Sequence, residues 1–201
     1  MNKNRRTHIE SFYDRVSFLY PIVDVFLKSG KKRLAKIVNS YPAGQLLEIG
    51  SGTGKHLSLY HGHTVTGIDI SSEMIKRSQK YQSNKISILK MDAHSLLFEA
   101  DTFDYAVMSH TVAVVENPHQ VLMQIFKVLK PGGKLFMLNH FTPEGWAKYL
   151  DIAFSSFSTP LKFKSVFRLD QLRACSPLCI REEIDLDRFS YMRIVILEKP
   201  I

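Results

Sequence analysis

One segment constrains this chain more than any other: Leu46-Leu47-Glu48-Ile49 runs straight into Gly50-Ser51-Gly52-Thr53-Gly54. An apolar strand that ends in three alternate glycines and leads into a helical stretch opens a βαβ unit. The glycines allow a tight turn and let a ligand approach the backbone with no Cβ in the way. Nineteen residues after Gly50, at the end of the next expected strand, comes Asp69 in Gly67-Ile68-Asp69-Ile70. A carboxylate at that distance can accept hydrogen bonds from both hydroxyls of a ribose.

Spacing then separates the ligands that use such a bend. A P-loop closes on Gly-Lys-Ser/Thr, but Gly54-Lys55 is followed by His56. A dinucleotide fingerprint places its third glycine three residues after the second, where this chain has Lys55. The observed G-x-G-x-G, preceded by Glu48, suits a ligand with a ribose and no pyrophosphate, and S-adenosylmethionine is such a ligand.

The rest of the chain supports the same architecture. Short apolar runs at Leu46–Ile49, Thr64–Ile70, Ile86–Met91, Tyr105–Met108 and Lys134–Phe141 alternate with helical patterns near Lys55–Tyr60, Ser72–Tyr81 and Pro118–Leu129. Such alternation predicts an α/β, Rossmann-like fold with a mostly parallel central sheet and helices on both faces. Lys130-Pro131-Gly132-Gly133 reads as a helix stop and a turn. A helix is expected from Pro143 to about Phe157, and Ile180–Leu186 with Phe189–Glu198 reads as an antiparallel C-terminal hairpin. Ile9, Phe12, Tyr13, Val16, Leu19 and Tyr20 lie at helical spacing, and a second helix runs from Pro21 to about Asn39, weakened at Ser29-Gly30. With 201 residues, one domain is expected: an N-terminal helical lid over 1–40, a cofactor-binding core over 45–141 and a substrate-side region over 142–201.

Charge is unevenly spread. The net charge is +8, and residues 1–36 hold nine Lys and Arg against three acidic residues. The basic excess thus belongs to the first two helices, which suits an anionic surface. No apolar run approaches the ~20 residues that cross a bilayer, and MNKNRRTHIE lacks the pattern of a signal peptide. A cytoplasmic chain is expected. Cys175 and Cys179 read as reduced structural thiols, and neither they nor His8, His56, His61, His63, His94 and His119 form a metal-ligand pattern.

Glu48–Gly54, Asp69, Met91-Asp92-Ala93 and Val128-Leu129-Lys130-Pro131-Gly132-Gly133 together resemble the class I S-adenosylmethionine-dependent methyltransferases. The resemblance spans about Gln45 to Phe141. It implies that Gly50, Ser51 and Gly52, with Glu48 and Gly54, line the methionine part of the cofactor, and that Asp69 holds the ribose. It further implies that Ile70 and Met74 flank the adenine, that Asp92 accepts from its amino group with Ala93 alongside, and that Ser109, His110 and Thr111 face the sulfonium and the substrate.

Finer motifs resemble the small bacterial phosphatidylethanolamine N-methyltransferases: Tyr13-Asp14, Tyr20-Pro21, Val114-Val115-Glu116-Asn117-Pro118 and Leu138-Asn139-His140-Phe141. That likeness implies a phospholipid amine as acceptor, Asn139 and His140 on the substrate side, and a basic first helix on the inner membrane.

A primary ammonium has a pKa near ~10 and must lose a proton before it can attack. His140 and His110, at the C-terminal ends of expected strands, are the candidate bases. Tyr13 and Tyr20 could close over the sulfonium or ammonium by cation–π contact. A quinone or other small-molecule methyltransferase is the first alternative, and a non-catalytic cofactor-binding protein is a weaker one. A nucleic-acid methyltransferase fits poorly, because Ser109-His110-Thr111-Val112 replaces the Asn/Asp-Pro-Pro-Tyr/Phe of an exocyclic-amine base methylase.

Overall fold

A computed structural model describes residues 30–112, 115–140, 172–173, 176–186 and 192–201, with the backbone alone at His140. Residues 1–29 of the lid expected over 1–40, with Tyr13 and Tyr20, lie outside these residues. So do Val114, the helix expected after Pro143, Cys175 and the link between the last two strands. The chain forms two compact units, Met1–Leu97 and Phe98–Ile201.

In the first unit, residues 30–38 form a helix, α1, which buries Leu34, Ala35 and Val38 while Lys32, Arg33 and Lys36 stay exposed. Gly30, where a weakening was expected, is itself helical and buried. Three parallel strands follow: β1 (Gln45–Ile49), β2 (Thr64–Asp69) and β3 (Ile86–Lys90), with β2 in the middle. β1 is buried from Leu46 through Ile49, the near-continuous apolar run of a strand covered on both faces. Between β2 and β3 lies α2 (Ser72–Ser78). Its cap is Ser71, whose Oγ accepts from Met74 N at 3.2 Å. Glu73 in its first turn and Lys76 and Arg77 in its last complement the helix dipole. The expected helix over Lys55–Tyr60 is instead one 3-10 turn, Leu57–Leu59. Leu57 and Tyr60 are buried from this turn.

The second unit holds β4 (Phe103–Ser109), α3 (Pro118–Val128), β5 (Leu129–His140), β6 (Cys179–Asp185) and β7 (Met192–Glu198). β4 and β5 are parallel, and β7 lies antiparallel between β5 and β6. α3 starts with Asn117 capping Gln120 N at 3.1 Å and Pro118 in the first turn, and it buries Val121, Leu122, Ile125 and Val128.

Lys130-Pro131-Gly132-Gly133 departs from its expected role. The helix does stop before it, but the strand has already begun at Leu129, and the four residues form a bulge within β5. Phe103 pairs with Leu129 and Tyr105 with Lys134, so β5 carries three more residues than β4 over that step. Gly132 adopts a φ of 74°. A Cβ on Gly133 would lie 2.7 Å from Lys130 O and 3.1 Å from Asp104 O. The bulge is fixed by Gly132 N donating to Lys199 O and Lys199 N to Gly133 O, both 2.9 Å, and by Lys130 Nζ on Asp104 Oδ1 at 2.7 Å. Cys179 is a free thiol on β6 and is exposed, contrary to the expected structural role.

Candidate cofactor site and catalytic residues

The bend after β1 is built from backbone conformations that side chains resist. Gly50, Gly52 and Gly54 have φ of 71°, 55° and 72°, in the left-handed region that glycine enters without a Cβ clash. Gly54 has a second reason to be glycine, since a Cβ there would lie 2.8 Å from Ser78 Cβ on α2. Gly67 of β2 lets the bend pack down, because a Cβ on it would lie 3.0 Å from both Ser51 Cβ and Leu57 Cδ1.

Hydrogen bonds tie the bend to β2. Gly50 N and Ser51 N both donate to Ile68 O at 2.9 Å, and Gly54 N donates to Ser51 O at 3.1 Å. Asp69 receives two backbone amides, Gly52 N on Oδ2 at 2.8 Å and Ser71 N on Oδ1 at 2.9 Å. The carboxylate found by spacing therefore touches both the bend and the cap of α2. Ser51 Oγ is buried with no hydrogen-bond partner among the described residues, on the side of the bend that packs against Gly67.

Met74 is buried and Ile70 half-buried at the start of α2. After β3, Asp92 is half-buried, and its Oδ1 accepts from His94 N at 2.9 Å and pairs with His94 Nδ1 at 2.8 Å. His94 entered the sequence reading only as a non-ligand, and here it orients the Asp92 carboxylate. Thus Gly50 to Gly54, Asp69, Ile70, Met74, Asp92 and Ala93 all belong to one unit.

Beneath the bend is a cluster that spacing alone missed. Glu48 on β1 is fully buried, and its Oε1 accepts a short hydrogen bond from His56 Nε2. Tyr60 is buried beside them, its ring edge-on to His56 at 6.4 Å. Burial, then the Glu48 charge and a hydrogen bond to that carboxylate, push the Tyr60 phenol well above its ordinary pKa, so it stays a protonated donor. Leaving a buried polar group without its hydrogen-bond partner costs about 1–3 kcal/mol, and more when that group is charged. The available signal was Glu48 itself, since a carboxylate inside an apolar strand requires a nearby donor.

In the second unit, His110 directly follows β4 and has a φ of 59°, a conformation uncommon outside glycine. Its N–H donates to Leu138 O of β5 at 2.7 Å, and its side chain is half-buried. Ser109 is buried, and Thr111 Oγ1 donates to Ser109 O at 3.1 Å. Asn139 is buried on β5 opposite Arg193 of β7, and His140 follows opposite Met192. Among the described residues no group of three or more His, Cys, Asp or Glu is arranged to hold a metal ion. No described helix is long and apolar enough to cross a membrane.

Comparison with known proteins identifies the family. Residues 47–137 match the methyltransferase domain family. Over 176 residues the chain is 33% identical to the phosphatidylethanolamine N-methyltransferase of Cereibacter sphaeroides, an alignment covering 83% of this chain and 86% of that protein. It is 28% identical over 145 residues to the ubiquinone/menaquinone biosynthesis C-methyltransferase of Desulfotalea psychrophila, covering 67% of this chain and 59% of that protein. The crystal structure of an S-adenosylmethionine-dependent methyltransferase from Methanosarcina mazei shares the fold, with a TM-score of 0.64 at 22% identity over 80% of this chain and 94% of that one. A third of its residues shared with such an enzyme along most of its length, and a methyltransferase domain running from within β1 to within β5, establish that the chain belongs to the class I S-adenosylmethionine-dependent methyltransferases.

Proposed function

We propose that this enzyme methylates the amine of phosphatidylethanolamine and of its partly methylated forms, at a membrane surface, toward phosphatidylcholine. The observation that carries the reading is the 176-residue likeness to the Cereibacter sphaeroides enzyme. It extends well past residues 47–137, which make up the methyltransferase domain. The quinone-methylating relative shares less identity and is matched over only 59% of its length.

When bound, S-adenosylmethionine supplies a methyl carbon activated by a sulfonium whose departure needs no acid. Gly50, Ser51 and Gly52, with Gly54 beside them, line the methionine part, while Glu48, expected among them, is fully buried beneath the bend on His56. Asp69, already aimed by Gly52 N and Ser71 N, accepts the ribose hydroxyls. Asp92, held by His94, takes the adenine amino group, with Ile70, Met74 and Ala93 against the ring. His140 or His110 removes the proton from the attacking ammonium, and Asn139 helps to set the acceptor. Tyr13 and Tyr20 exclude water and face the cations. The basic residues among 1–36 meet anionic lipid, each worth roughly 1 kcal/mol near such a surface. No nucleic acid enters this scheme.

Labelled cofactor offered with phosphatidylethanolamine vesicles, and separately with a demethylated quinone, tests the acceptor. Mono-, di- and trimethylated headgroups are expected, and transfer to the quinone alone overturns the proposal. Replacing Arg5, Arg6 and Arg15 by Glu should abolish vesicle flotation, and unchanged flotation removes the surface role. His140→Ala should lower turnover about a hundredfold with little change in cofactor affinity, whereas wild-type turnover takes His140 out of the mechanism.

A further inference from the structure

Three ties hold the bend after β1. Ile68 O anchors its first two amides, Asp69 anchors Gly52, and Glu48 anchors His56 on the far side. The first two fix where the bend begins and where it peaks. The third returns from beyond the last glycine to the strand that precedes the first, where Tyr60 joins His56 on the same carboxylate. Glycines have the widest choice of backbone conformation, so three in five residues need such a closure.

We infer that His56 is a positioning residue for cofactor binding: its ring N–H, latched on the buried Glu48 carboxylate, holds the glycine bend at the aperture that receives the methionine part of S-adenosylmethionine. This rests on the cofactor assignment and adds to it a residue that need not touch the cofactor. A buried hydrogen bond between side chains is often no better for stability than apolar residues of similar volume. Its merit here is directional. The carboxylate accepts along fixed lone-pair directions, so the donor is held in register as well as in contact. Tyr60 serves as a second neutral donor beside the same carboxylate, and Leu57, next to His56, is buried against Gly67. The latch therefore sits on a packed base.

The test uses the full chain and S-adenosylhomocysteine as the calorimetric probe, with His56→Gln, His56→Asn and His56→Leu. Gln carries its amide nitrogen the same number of bonds from Cβ as Nε2 of His, so it keeps a donor on Glu48. Asn withdraws that donor by one bond, and Leu removes it. Gln should bind within about twofold of the parent, while Asn and Leu should bind about tenfold to a hundredfold more weakly. Turnover at saturating S-adenosylmethionine should stay within about twofold in all three, so the loss appears in KM and not in kcat. If Leu prevents folding, as judged by circular dichroism, Asn against Gln carries the same comparison. Parental affinity in Asn or Leu, Gln as weak as Leu, or a loss confined to kcat overturns the latch. Failure of the unaltered chain to bind the probe overturns the cofactor assignment beneath it.

Discussion

The two glycine-bearing bends of this molecule use the same residue for opposite ends. In the first unit, Gly50, Gly52 and Gly54 take positive φ and leave a buried Ser51 hydroxyl without a partner. In the second, Gly132 also takes positive φ, yet its bend is shut: Gly132 N and Gly133 O are both bonded to Lys199, and Lys130 is bonded to Asp104. One bend gives an amide to the Asp69 carboxylate, and the other is closed on Lys199, just past the last strand. Glycine content alone does not separate the two bends. Their partners do.

Substitutions can break that contrast. Gly52→Val should have the largest effect, removing measurable S-adenosylhomocysteine binding in calorimetry, because it sets a β-branched side chain at a φ of 55° where the amide meets Asp69. Retained affinity would show that the bend tolerates closure. Gly133→Ala should destabilise by about 1–3 kcal/mol in urea unfolding, because its Cβ meets Lys130 O at 2.7 Å. Cofactor affinity should be unchanged, and a fall in affinity would erase the distinction between the bends.

The smallest effect concerns Glu198, which closes β7 on its neighbours. A hydrogen bond from Lys134, assisted by Arg181 and opposed by partial burial, holds its carboxyl below the ordinary value. The folded state then binds fewer protons than the unfolded chain in that range, so this stabilisation is present above about pH 4.5 and is lost as pH falls through the folded value. Glu198→Gln should flatten the acid limb of stability between pH 5 and 3, and an unchanged limb would show that the ion pair contributes nothing there.

Much of the first unit was legible in the chain. The glycine triplet and Asp69 are coded by residue type at fixed offsets, and both fall where expected. β1, β2, β3 and α2 are local patterns that packing leaves alone. The second unit was less legible because its architecture is decided at long range. The hairpin of β6 and β7 follows from sequence neighbours, but the insertion of β7 beside β5 is set by complementary edges more than fifty residues apart. The Lys130–Gly133 bulge looked like a turn because glycine and proline punctuate both. Its Lys199 clamp is invisible locally. Glu48 and His56 stood in plain view, yet nothing in their spacing announces total burial, and burial is what makes their pairing obligatory.

Asp69 carries a kinetic consequence. A side chain already seated on two amides has no torsional freedom left to surrender when a diol arrives. Capture at that corner therefore requires only the shedding of water from the acceptor and from the incoming hydroxyls. The carboxylate itself then adds no rearrangement to the encounter.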